Sequence, residues 1–232
     1  MLKRKNIMKA TLLSYSQPSG SIHSGELGYK GLDNIQDLIA YCARVSNPSN
    51  QANTKTTPKL LDYLIKHKHW SPFEMASACI EVETTRDIAR QLLRHRSFAF
   101  QEFSQRYADI RDLDDNFILR DARLQDPKNR QNSVETNNER LSAEWRLRQQ
   151  DVIDTAKEHY AWAIENGIAK EQARAVLPEG NTVSRLYVNG TIRSWIHYIE
   201  LRSANGTQLE HIELAKAVAK AISGIFPLAV DI

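Results

Sequence analysis

From Arg94 to Tyr107 the chain runs RHRSFAFQEFSQRY, joining fixed charges, short polar groups and aromatic rings as no other stretch of its length here does. The residues before it explain how it is delivered. Met75 to Thr85 contains the alternation Cys79, Ile80, Glu81, Val82, Glu83 of a half-buried strand. Thr85 then suits the N-cap of a helix with Asp87 in its first turn, and that helix is expected to end in Arg94, His95 and Arg96. Helix dipoles favour cations in the last turn, yet two Arg flanking a His exceed what capping needs, and such crowding calls for an anion. After the triplet the period becomes two: Phe98, Phe100, Glu102, Ser104 and Arg106 alternate with Gln101, Phe103 and Gln105, as in extended chain or an irregular loop. Guanidinium groups suit bidentate contact with phosphate or carboxylate, so two Arg sets about ten residues apart point to two anionic groups. Ser104 can complete a phosphate shell, and Glu102 can orient the cations or meet a sugar or base. On residue types alone, a solvated basic segment with buried Phe stands beside that reading.

The chain has 232 residues, expected to form one domain, 1–232, around one substantial core. A charged share of 25% against 41% hydrophobic is that of an ordinary globular protein and excludes general disorder. The net charge of +3 is too small for a broad basic face, and Lys3, Arg4 and Lys5 at a loose N-terminus supply part of it. Cys42 and Cys79 form no metal-like pair and fit a reducing compartment, each expected buried rather than reactive. No apolar run is long enough to span a bilayer, and MLKRKNIMKATLLSYS lacks a signal-peptide core, so a cytoplasmic location is expected.

In chain order, Lys9 to Tyr15 is expected as a strand, followed by a Ser/Gly/Pro-rich turn region through Gly31. Asp33 or Asn34 caps a helix of Ile35, Leu38, Ile39, Cys42 and Ala43 that ends near Ala43 to Ser46. A loop leads to Pro58, which opens a helix expected to bury Leu60, Leu61, Tyr63, Leu64 and Ile65. His67 and His69 follow at alternate spacing, without the further ligands a metal site requires. Residues 108–138 are polar and suggest surface structure or a flap. A long helix from Glu139 to Glu165 has an apolar stripe through Leu147, Val152, Ile153, Ala156, Tyr160, Ala163 and Ile164. Lys170 to Leu177 forms a short helix stopped by Pro178. Thr182 to Val188 alternates as a strand, Asn189-Gly190 signals a turn, and Thr191 starts a helix that runs toward Arg202. Asn205-Gly206 breaks it, and Gln208 to Ile225 forms the last helix, with Leu209, Ile212, Ala215, Ala219 and Ile222 on its buried face.

The Arg94–Arg106 stretch resembles the signature R-H-R-x-x-S-x-N-E-x-S-x-R of the flavin-dependent thymidylate synthases, matched by Arg94, His95, Arg96, Glu102, Ser104 and Arg106. Ala99 replaces a Ser of the pattern and Gln101 an Asn; Gln keeps the amide, whereas Ala loses a hydroxyl. Further matches are the Ala-Arg-Val-Ser segment ending at Ser46, the His-x-Ser-Pro-Phe-Glu segment from His69 to Glu74, the Ala-Arg-x-x-Leu-Pro segment at Ala173 to Pro178, and the helix carrying Arg193, His197 and Arg202. Thr191 stands where many members have Asn, and Gly206 where some have His.

The resemblance implies an α+β fold, a mostly antiparallel sheet with long helices, assembled as a homotetramer whose sites are shared between subunits. It implies reductive methylation of dUMP to dTMP, with 5,10-methylenetetrahydrofolate as carbon donor, FAD as hydride carrier and NADPH as reductant. Arg202 is then the catalytic residue. Gln91, Arg94, Glu102, Ser104, Gln105, Arg106, Arg174 and Arg202 would bind dUMP. Ser46, Ser71, Arg94, His95, Arg96, Gln101, Glu102, Thr191, Arg193, His197 and Leu201 would bind FAD, and His69 would line the folate and flavin pocket. No metal, nucleic acid or membrane is implied. Neither Cys lies in these segments, against chemistry that needs a thiolate nucleophile. The residues are also compatible with two alternatives: a nucleic-acid-binding protein using the basic and aromatic stretch, and a family member that binds flavin and nucleotide without turnover.

Overall fold

The computed structural model describes residues 8–19, 32–113 and 116–232; the expectations for Lys3 to Lys5 and for most of the turn region up to Gly31 lie outside these residues. Its centre is a strand pair, β2 (Ser77–Thr85) and β6 (Val183–Thr191), antiparallel along their whole length from Ser77 opposite Thr191 to Thr85 opposite Val183. β1 (Lys9–Tyr15) adds to the free side of β2 and β3 (Ala99–Glu102) to that of β6, giving the order β1-β2-β6-β3 with every pairing antiparallel. Alternation decides which face is buried. Ala78, Ile80 and Val82 of β2 and Leu186 and Val188 of β6 have essentially no exposed surface, and burying each larger aliphatic side chain stabilises the fold by about 1.5–3 kcal/mol.

Each central strand ends in a Thr that opens a helix. Thr85 precedes α3 (Arg86–Leu92), and Thr191 caps α6 (Ile192–Ser203) by accepting from Ser194 N. The earlier helices are α1 (Ile35–Ala43), capped by Asn34, and α2 (Thr57–Lys66); the later ones are α4 (Glu139–Glu165), α5 (Lys170–Ala173) and α7 (Leu209–Ser223). Ile88, Leu92, Trp195, Tyr198, Leu214 and Ile222 join the sheet in one apolar cluster, to which Phe73 also belongs. The α+β class and antiparallel sheet are therefore as expected.

Several local expectations are corrected. Asn189 and Gly190 do not turn the chain; they lie inside β6, opposite Cys79 and Ala78. Gly190 is required there because a Cβ would sit 2.3 Å from Cδ1 of Phe98, whose ring packs over the strand. The basic triplet is not in a helix. α3 stops at Leu92, and Arg94, His95 and Arg96 ride a tight turn in which His95 N donates to Leu92 O at 3.0 Å. In α2, Leu61 and Leu64 are buried but Tyr63 is exposed, its ring against His67 at 4.1 Å. α4 buries Ile153, Ala156, Tyr160 and Ala163 while Leu147 and Val152 face outward, so only the C-terminal half of its stripe is covered by the described residues. Residues 108–138 contain a hairpin, β4 (Arg123–Gln125) with β5 (Ser133–Glu135), fastened to α7 where Arg123 meets Glu210. Cys42 and Cys79 are half-buried, and burial pushes both thiols up. Among the described residues no helix is long and apolar enough to cross a membrane.

Candidate active site

The turn after α3 brings the triplet against the end of α6. Arg202 Nε donates to His95 Nε2 at 2.9 Å. The imidazole lies edge-on to the ring of Tyr198 at 5.1 Å, with Phe98 at 6.3 Å. Burial, reinforced by the Arg202 charge, holds His95 down at about 4, so at neutral pH its Nε2 carries a lone pair and accepts the guanidinium hydrogen. Burial likewise lowers Arg202, which also feels the charge of Arg94. Gln91, one turn earlier on α3, gives Nε2–H to Gln208 Oε1 at 2.9 Å and faces His211 Nδ1 through Oε1 at 3.1 Å. The structure thus gathers Gln91, Arg94, His95 and Arg202, four of the residues singled out in the sequence.

A second group surrounds the start of α6. A cavity of about 440 Å³ is lined by Glu74, Ser97, Thr191, Arg193, Ser194 and His197. Arg193 forms an ion pair with Glu74, and Ser194 Oγ donates to Ser97 O at 3.4 Å. His197 meets Trp70 edge-on at 4.6 Å and is lowered by burial and then by Arg193. Ser71 opens the turn Ser71–Met75 against which α1 packs, and Ser46 lies just past α1. His69 is exposed beside Tyr63, and Leu201 is exposed on the last turns of α6. Arg94 and Arg96 are exposed, without an ion pair among the described residues. Ala99 and Gln101 are exposed on β3, opposite Asn189 and Tyr187. This donor set suits a flavin: open guanidinium groups for a pyrophosphate beside a polar cavity with neutral imidazole and hydroxyl groups.

The third group is cationic, as an anion site requires, and is drawn together around Glu171. Arg106 Nε stands 3.4 Å from Glu171 Oε2, and Arg174 Nε donates to Glu171 O at 3.3 Å. Lys170 Nζ donates to Tyr107 O at 3.0 Å, and Ser104 Oγ accepts from Arg106 N at 3.4 Å. Arg106 and Arg174, nearly seventy residues apart in sequence, are therefore neighbours. Gln105 is buried, with its side-chain nitrogen unpartnered among the described residues. No hydrogen bond or ion pair among the described residues joins this group to Arg202.

Glu102 belongs to a network the sequence did not reveal. Its Oε1 accepts from Ser184 Oγ at 2.9 Å, while Arg86 and Arg90 approach its two oxygens at 3.6 Å and also contact Glu179. The spacing of Arg86 and Arg90, one turn apart on one helix face, is the signal that could have found them. Gln208, Glu210 and His211 were also missed, being absent from the motifs.

The model of the family described as "Thymidylate synthase complementing protein" matches residues 30–228. A protein of Paramecium bursaria Chlorella virus 1 described as "Probable flavin-dependent thymidylate synthase" is 49% identical over 220 residues, covering 95% of this chain and 96% of its own. A Synechocystis "Flavin-dependent thymidylate synthase" is 44% identical over 220 residues with the same coverage. Among solved structures, a UMP/dUMP methylase, PolB from Streptomyces cacaoi bound with 5-Br dUMP, superposes with a TM-score of 0.75 at 24% identity, covering 96% of this chain and 93% of its own. That likeness extends the agreement to the fold.

Proposed function

Since the chain belongs to the family of flavin-dependent thymidylate synthases, we propose that it converts dUMP to dTMP, taking the carbon from 5,10-methylenetetrahydrofolate and reducing equivalents from NADPH by way of FAD. The observation that carries this reading is the Arg202–His95 pair, which joins the signature stretch to the helix that ends beside it. FAD, when bound, supplies the hydride; Arg94, Arg96, Arg193, Thr191, His197, Ser71 and Ser46 would hold it.

The residues of the chain supply position and field. C5 of uracil can attack an electrophilic one-carbon unit only once electron density in the ring has been raised, and the enolate-like charge then gathers on a ring carbonyl oxygen. Arg202, tethered through Nε, keeps its Nη1 and Nη2 edge for a pyrimidine carbonyl oxygen, where that charge gathers. Neutral His95 sets the direction of the guanidinium without competing for the anion. Arg106, Arg174 and the Ser104 hydroxyl hold the monophosphate, for which Arg106 must exchange its contact with Glu171. Glu102 keeps Arg86 and Arg90 oriented behind β3. Flavin and nucleotide groups on separate elements, together with the uncovered apolar residues of α4, support a homotetramer with sites shared between subunits.

Anaerobic incubation with FAD, NADPH, dUMP and methylenetetrahydrofolate tests the proposal, each component being omitted in turn. Formation of dTMP that requires both flavin and folate supports it. Flavin reduction without dTMP would leave the flavin site and remove the methyl transfer.

A further inference from the structure

The Gln91 amide sits at the end of a hydrogen-bonded chain whose direction is fixed from its far end. Arg123 Nη2 donates to Glu210 Oε2 at 2.8 Å and Nη1 stands 2.7 Å from Oε1. Burial raises the Glu210 acid, but the hydrogen bond from Arg123, the backbone amide and the Arg123 and Arg120 charges outweigh it and hold the group at about 2. Glu210 is therefore a carboxylate that can only accept. Gln208 must turn its Nε2 toward it, at 3.0 Å, and so must present Oε1 to Gln91. That carbonyl takes a hydrogen from Gln91 Nε2 at 2.9 Å. Gln91 Oε1 is then left to accept from His211 Nδ1 at 3.1 Å. His211 has no exposed surface, and its other nitrogen, Nε2, has no hydrogen-bond partner among the described residues; burial, followed by the charges of Arg202 and His95, keeps it neutral by holding it at about 3. Its single hydrogen is best used on Nδ1.

We propose that Glu210, Gln208 and His211 are positioning residues that lock the Gln91 amide in one orientation, so that its remaining N–H reads a uracil carbonyl oxygen and rejects the amino group of cytosine. The inference rests on dUMP being the substrate and on Gln91 meeting its ring. A glutamine free to flip offers either an oxygen or an N–H and reads both pyrimidines, whose 4-positions are an acceptor in uracil and a donor in cytosine. Flipping Gln91 here would set its NH2 against the His211 N–H and its oxygen against the Gln208 oxygen. Both hydrogen bonds would be lost and like atoms would face each other. The lock therefore acts against cytosine as well as for uracil.

The test compares dUMP and dCMP dissociation constants on the FAD-loaded wild type, His211→Leu and His211→Asn, with thermal melting and flavin retention recorded alongside. Leu removes the donor; Asn places an amide N–H near the position of imidazole Nδ1. The lock predicts that His211→Leu lowers the dUMP-over-dCMP preference at least about tenfold with flavin retained, and that His211→Asn recovers most of it. An unchanged preference in His211→Leu overturns the proposal, as does an equal loss in both variants, which would mark His211 as packing alone. Should His211→Leu fail to fold, Gln208→Leu, at a half-buried position, removes the other half of the lock and is judged by the same ratio. Failure of the wild type to bind dUMP would remove the substrate reading instead, and is seen before any variant is compared.

Discussion

Arg202 and His95 are joined by an Nε–H to Nε2 hydrogen bond of 2.9 Å, and that bond exists only while the imidazole is neutral. Its consequence for acid stability has a definite sign. His95 and His211 are held at about 4 and about 3, below their ordinary 6.5, so over that interval the unfolded chain binds more protons than the native one. Stability is full above about pH 6.5 and is lost as pH falls toward the folded values. Glu210, lowered from 4.5 to about 2, adds a contribution that is present above 4.5 and lost on further acidification. Melting temperature should therefore fall steadily from neutral pH toward pH 4. A melting temperature that is flat, or rises, over that range contradicts the assignment of neutral buried imidazoles.

Arg106 is held by Glu171 at 3.4 Å, with both side chains about half exposed. An exposed pair of this kind contributes about 0–1 kcal/mol, so freeing the guanidinium has a small but readable effect. Glu171→Gln should tighten dUMP by up to about fivefold at low salt, and the gain should shrink as salt rises. Weaker binding in the variant would show that Glu171 orients Arg106 rather than competing for it.

Phe98 covers Gly190 so closely that a single methyl has no room. Gly190→Ala should destabilise the protein by about 1–3 kcal/mol and disturb the strand beside the signature. Denaturant melts measure this directly. A wild-type midpoint would mean that the Phe98 ring moves aside freely.

Ala99 stands on exposed β3 where the family pattern has a hydroxyl. Ala99→Ser should tighten FAD or dUMP measurably without altering the fold. Titration with each ligand reports the change, and equal affinities for both would show that the position is indifferent.

How much could be foreseen follows the range of the interactions responsible. β1 at Lys9–Tyr15 and α4 at Glu139–Glu165 were legible because their signals are local; the long helix stops before Gly167, whose positive φ suits a helix end. Asn189-Gly190 misled because a turn dipeptide was kept for a tertiary reason, the ring of Phe98. The 123–135 hairpin was invisible because part of its anchorage, Arg123 to Glu210, spans 87 residues. The neighbourhood of Arg106 and Arg174 was suggested only by resemblance, since no local pattern encodes a contact across that distance. Gln208 and His211 were missed for the same reason: their partner, Gln91, lies 117 and 120 residues away.

In the proposed function Arg202, aimed by His95, stabilises charge on the pyrimidine during methyl transfer. The direct measurement is anaerobic dTMP formation by wild type and Arg202→Ala at matched flavin occupancy. The variant is expected to retain FAD and to lose turnover by at least about a hundredfold. Wild-type rates of dTMP formation in Arg202→Ala would contradict it.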